Sequence, residues 1–125
     1  KEINLYISEN NLNNDISIEG YVEDLNKWYH SNDCIISNSI HEGTQTSIVE
    51  GVATGCWAIS RNWDGADEIV DNKGLFSNFE ELEKCLKLFY NWNDSERKEN
   101  INSAREKLIE KLINRPKMHD IISKL

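Results

Sequence analysis

Cys34-Ile35-Ile36, followed after a short polar link by His41-Glu42-Gly43-Thr44-Gln45-Thr46-Ser47-Ile48-Val49-Glu50-Gly51-Val52-Ala53-Thr54-Gly55, decides the fold of this chain. Three apolar residues read as a strand, covered on both faces. Small and polar residues then form a loop, and residues 46–54 read as a short helix with Gly55 as its left-handed terminator. A strand that feeds a loop into a helix start offers an anion unpaired N–H groups and the positive end of the helix dipole. Glu42 and Glu50 flank that turn, eight positions apart. One carboxylate on each side can grip hydroxyls next to a bound phosphate, as a nucleotide sugar would require.

Upstream, residues 1–10 fit two patterns. Ile3, Leu5 and Ile7 alternate like a strand, while Ile3, Tyr6 and Ile7 also share a helical face. Residues 10–15 are a turn-rich polar cluster, and Ile16-Ser17-Ile18 reads as a short strand ended by Gly20. Asp24 is placed to cap a helix carrying Leu25, Trp28 and Tyr29 on one face. Downstream, Trp57-Ala58-Ile59-Ser60 reads as a strand, residues 64–70 as a turn and short helix, and Gly74-Leu75-Phe76 as a last strand. Leu82, Leu86 and Phe89 share a face of a following helix. Asp94 or Ser95 caps another, with Ile101, Ala104, Leu108 and Leu112 at helical spacing. Pro116 breaks it, and Ile121, Ile122 and Leu125 suggest a short terminal helix. Alternating strands and helices with short loops imply one α/β domain over residues 1–125, built on a parallel sheet with right-handed crossovers.

The chain has 125 residues, 38% hydrophobic and 29% charged, with four tryptophans to fill an interior. A net charge of −8 argues against general nucleic-acid binding, which needs a basic face. It leaves room for one small anion held by local dipoles. No apolar run approaches the ~20 residues that span a bilayer, and the start lacks the hydrophobic segment of a signal peptide. Cys34, Cys56 and Cys85 form no CxxC pair and read as buried thiols in a reducing cytosol. His41-Glu42 begins like the zinc motif HExxH, but Gln45 stands where the second histidine belongs, so no metal site is expected. There is no GxGxxG for a dinucleotide, nor the acidic cluster and downstream lysine of a receiver domain.

In order, the chain carries Gly20-Tyr21-Val22-Glu23-Asp24, Ser37-Asn38-Ser39, Glu42-x7-Glu50, Gly55, and Asp64-Gly65-Ala66-Asp67-Glu68-Ile69-Val70. These intervals resemble the C-terminal, donor-binding Rossmann-like domain of retaining glycosyltransferases with the GT-B architecture, over roughly residues 6 to 90. That implies a parallel sheet with helices on both faces and a C-terminal helical segment over residues 79–125. It also makes residues 6–12 the tail of a helix before the Ile16 strand. The activity implied is transfer of a sugar from a UDP- or GDP-sugar to a glycan or lipid-linked acceptor, in a cytoplasmic protein, with membrane-peripheral attachment of a longer protein left open.

By the same resemblance, Glu42 contacts the donor sugar and is the candidate catalytic residue, while Glu50 holds the nucleotide ribose. Such carboxylate–hydroxyl bonds are about twice as strong as neutral ones. For Glu50 the alternative is a capping box, Ser47-x-x-Glu50; for Glu42 it is a solvated loop position. The backbone of Gly43, Thr44, Gln45, Thr46 and Ser47 would face the diphosphate, with the Thr46 and Ser47 hydroxyls assisting, although this loop is more polar than the family's usual one. Tyr21 and Val22 would meet the nucleobase edge. Arg61, with Trp63 and Asp64, follows a strand's carboxyl end, where ligands gather in open α/β sheets. Arg61 meets a phosphate or forms a surface salt bridge, and His41 touches the sugar or is structural. The resemblance implies no metal or other cofactor.

The family's basic diphosphate groups and its N-terminal acceptor domain have no counterpart in these residues. The chain is therefore expected to be part of a donor domain, inactive alone. In the doubly wound order 3-2-1-4-5-6, the Ile16 and Cys34 strands would take places 3 and 4, with two strands absent between them. Self-association through the exposed sheet edge is expected. The competing reading is a non-catalytic α/β interaction module on the same scaffold.

Overall fold

A computed structural model describes residues 2–114. These residues form five helices and three strands, in the order α1 (Glu2–Glu9), α2 (Leu25–His30), β1 (Cys34–Ser37), α3 (Thr46–Thr54), β2 (Trp57–Arg61), β3 (Leu75–Phe76), α4 (Phe79–Asn91) and α5 (Asp94–Ile113). Single 3-10 turns at Ala66–Glu68 and Asn72–Gly74 lie between β2 and β3. The strands form one parallel sheet in the order β1-β2-β3, with Cys34 beside Trp57 and Ser60 beside Leu75. The expected α/β class, with helices on both faces and C-terminal helices, is what forms.

The sheet's two faces carry separate cores. On one, Ile35 and Ala58 meet Ile48 and Val52 of α3 and Leu108 of α5, closed by Trp63, Ala66, Ile69 and Val70. On the other, Trp57, Ile59 and Phe76 meet Leu82, Cys85 and Phe89 of α4, with Trp92 standing edge-on to Trp57 at 4.8 Å. β2 is buried along Trp57–Ser60 because it is the middle strand and both layers cover it. Gly55, at φ 104°, ends α3 as expected, and Cys56 follows directly into β2.

Four expectations are corrected. Residues 16–18 form no strand: the Ile16 N–H bonds the Leu12 carbonyl at 2.9 Å, and no described strand offers these residues a ladder. β1 is not covered on both faces. Ile36 shares the α4 face with Ile59 but is 50% exposed, because α4 lies over β2 and β3 and stops short of β1. On α4, Cys85 rather than Leu86 completes the buried face with Leu82 and Phe89. The α5 cap is Asn93, ahead of both expected caps, Asp94 and Ser95. The expected helical spacing of α5 holds as far as Leu112, which is exposed. The ambiguous N-terminus is helical, as the resemblance implied, but α1 ends at Glu9, short of the expected residue 12. Pro116 and the terminal helix lie outside the described residues.

Candidate functional site

Gln45 occupies the cap position of α3 yet makes no side-chain cap. Its amide turns inward, donating from Nε2 to the Ser37 hydroxyl at the end of β1 and, at 3.5 Å, to Ser39 Oγ. The Gln45 carbonyl accepts from Ile48 and Val49 at 3.1 and 3.2 Å. That leaves the exposed Thr46 and Ser47 with first-turn N–H groups that no described residue accepts. Helix starts are ordinarily closed by a Ser, Thr, Asp or Asn side chain, so α3 keeps its positive end open. The alternative capping box does not form, since Ser47 is the second residue of the helix, two positions past its cap.

Glu42, Gly43 and Thr44 are exposed in the loop before this opening. Gly43 and Thr44 line a cleft of about 120 Å³ whose other wall is Trp63, Asp64, Gly65, Glu68 and Ile69. Gly65, at φ 96°, adopts a left-handed turn that suits glycine and starts the Ala66–Glu68 turn. Two buried polar atoms near this loop lack partners, Gln45 Oε1 and Trp63 Nε1, on residues only 9% and 7% exposed. An unpaired buried polar group costs about 1–3 kcal/mol, so a ligand or water that bonds to either recovers much of that cost.

One turn along α3, Glu50 is also exposed, and its Oε2 accepts a 3.2 Å hydrogen bond from the Tyr29 hydroxyl. Tyr29 and Glu50 line a second cleft with Leu25, Asn26, Ala53 and Thr54, between α2 and α3. Burial first, then the Glu50 carboxylate and the neighbouring Cys56, push the Tyr29 phenol above its ordinary value.

The remaining candidates are dispersed. Arg61 bridges two loops at the carboxyl edge of the sheet, donating to Asn38 Oδ1 at 2.9 Å and the Ser77 carbonyl at 3.1 Å. Its guanidinium also lies 5.6 Å from the Phe76 ring centre. Tyr21 is 90% exposed, and neither it nor Val22 lines either cleft. His41 is exposed in the loop. One contributor carried no functional role in the sequence: Tyr29, as a partner of Glu50. Trp63, expected at the ligand-gathering edge of the sheet, forms a wall of the first cleft. The signal for Tyr29 was a tyrosine on the inner face of a short helix, whose hydroxyl needs a partner when buried.

Cys56 and Cys85 are buried and Cys34 half-buried, all as free thiols. Burial foremost, with Cys56 and Asp33 nearby, pushes the Cys34 thiol up to about 12. Among the described residues no three His, Cys, Asp or Glu side chains gather as a metal cage would. None of the described helices is long and apolar enough to cross a membrane.

Compared with known proteins, the chain matches a family described as glycosyl transferases group 1 over residues 1–89. No curated protein and no solved structure matches it. The matched span contains the open start of α3, both glutamates and the Trp63–Ile69 wall. The chain thus belongs to the group 1 glycosyl transferases.

Proposed function

We propose that this domain holds the donor of a retaining glycosyl transfer, a UDP- or GDP-sugar whose sugar passes to a glycan or lipid-linked acceptor. The observation that carries the reading is the uncapped start of α3, where Gln45 faces inward and the Thr46 and Ser47 N–H groups lack acceptors. A diphosphate there gains those donors and the positive end of the helix, the arrangement that binds phosphates at other helix starts. Glu42, in the loop before α3, is assigned to the sugar, and Glu50, in the cleft between α2 and α3, to the ribose.

For the transfer itself, negative charge grows on the leaving nucleoside diphosphate, and fixed donors aimed at that charge stabilise it more than they stabilise the bound donor. The α3 N–H groups and the Thr46 and Ser47 hydroxyls are the donors this chain contributes. Acceptor binding is assigned to a further domain.

Calorimetric titration with UDP and GDP tests the reading, alongside Ser47→Glu. A new carboxylate in the first turn favours the helix dipole but repels a diphosphate. The variant should melt no lower than the parent yet bind the nucleotide at least ~10-fold more weakly, about 1.4 kcal/mol. Unchanged nucleotide binding in a folded Ser47→Glu would remove the anion from this turn.

A further inference from the structure

We infer that Tyr29 is a positioning residue for nucleotide recognition: its hydroxyl fixes the Glu50 carboxylate through Oε2 and turns the other oxygen, Oε1, toward the ribose hydroxyls. The inference rests on the assignment of Glu50 to the ribose. An exposed glutamate on a helix surface ordinarily samples several rotamers, and ordering so long a side chain on binding costs rotamer freedom. A hydrogen bond already present in the free protein removes part of that cost, the usual benefit of preorganisation.

Tyr29 is built to hold such a bond. Its side chain is 5% exposed, and its ring stands edge-on to Trp28 at 5.3 Å. Its carbonyl accepts from the Cys56 thiol at 3.3 Å, and the same thiol reaches the Asn32 carbonyl at 3.2 Å. These contacts lock the end of α2 to the start of β2. At the other end of α2, Asp24 caps the helix by accepting from the Lys27 N–H at 2.9 Å. The 3.2 Å bond from Tyr29 to Glu50 therefore joins an anchored donor to a carboxylate that would otherwise move freely. The phenol bonds one oxygen only, so the other keeps its lone pairs for two vicinal hydroxyls. A raised phenol value keeps Tyr29 a neutral donor throughout the physiological range.

The test compares UDP and GDP with their 2′,3′-dideoxy counterparts by calorimetry, on the parent chain, Tyr29→Phe, Glu50→Gln and the double variant. Phenylalanine keeps the ring and removes only the hydroxyl. Tyr29→Phe should weaken the ribonucleotide about 3- to 10-fold while leaving the dideoxynucleotide unchanged, so that the ratio between the two shrinks. In the Glu50→Gln background the same change should do little more. A ratio that collapses in Glu50→Gln but survives Tyr29→Phe overturns the role of Tyr29 and leaves the ribose assignment standing. A ratio unmoved by Glu50→Gln, or no nucleotide binding at all, overturns the assignment and the inference with it. The contact can also be read without nucleotide: spectrophotometric titration should find the Tyr29 phenol lower in Glu50→Gln than in the parent, and an unchanged phenol contradicts the bond.

Discussion

Gly74 stands against the backbone of β2 so closely that a Cβ there would lie 2.1 Å from the Ala58 carbonyl oxygen. Backbone cannot yield as a flexible side chain does. Gly74→Ala should therefore cost on the order of 2–4 kcal/mol in urea unfolding, the range of severe overpacking. Gly43 is the matched control: a Cβ there meets nothing within 4 Å, so Gly43→Ala should stay within ~0.5 kcal/mol. Equal midpoints for the two variants would contradict this packing. Gly55 was legible from sequence, since a glycine after a helix pattern is a terminator for local reasons. Gln45 was legible only as a polar residue in an anion loop. Its inward turn depends on the Ser37 and Ser39 hydroxyls, eight and six positions earlier, which meet it only once β1 and α3 have packed.

At the scale of elements, α5 depends on its start and on one lateral tie. Asn93 accepts from the Glu96 N–H and Glu96 accepts from the Asn93 N–H, both at 3.0 Å, a complete capping box. Asn93→Ala should cost about 1 kcal/mol by thermal or urea unfolding; no change would show the cap to be idle. Lys107 of α5 meets Asp71 at 2.9 Å, beside the turn that precedes β3. Burial alone would raise the Asp71 carboxyl, but the Lys107 ammonium and the Lys73 N–H outweigh it and hold it below its usual range.

A carboxyl whose folded value is depressed contributes stability above its unfolded value, near 3.9, and loses it as pH falls through the folded one. Lys107→Met should thus destabilise at neutral pH by under ~1 kcal/mol, because Lys107 is largely exposed. The difference from the parent should shrink as pH falls below about 4. A gap that widens in acid would contradict this linkage. Element type was largely readable here because α4 and α5 repeat apolar residues at helical spacing. Their boundaries and faces were less so: Asn93 and Asp94 are both good caps, and Cys85 gained the buried place of Leu86 through its position over Leu75 and Phe76.

For the whole molecule, the sheet explains what sequence could and could not reveal. Three short, unbroken apolar runs separated by helical or turn segments were enough for a parallel α/β layer. Residues 16–18 alternate apolar and polar as a strand can yet stay outside the sheet, because a strand requires a neighbour as well as a pattern. Among the described residues β1 has no strand on its outer edge, and Ile36 stands half-exposed beside it. Such an edge favours pairing with another chain, so sedimentation velocity at micromolar concentration should detect a species heavier than the monomer. A monomeric mass would count against that association.

The roles proposed for the two glutamates, Glu42 in the loop before α3 and Glu50 in the middle of α3, predict different losses for different ligands. The most direct measurement is a titration of UDP, GDP and their hexose conjugates against the parent, Glu42→Gln and Glu50→Gln chains. Glu50→Gln should weaken nucleotide and nucleotide-sugar alike, while Glu42→Gln should weaken only the nucleotide-sugar, each by about 10-fold for a lost charge-assisted bond. Binding unchanged in both variants would contradict the account of the donor site.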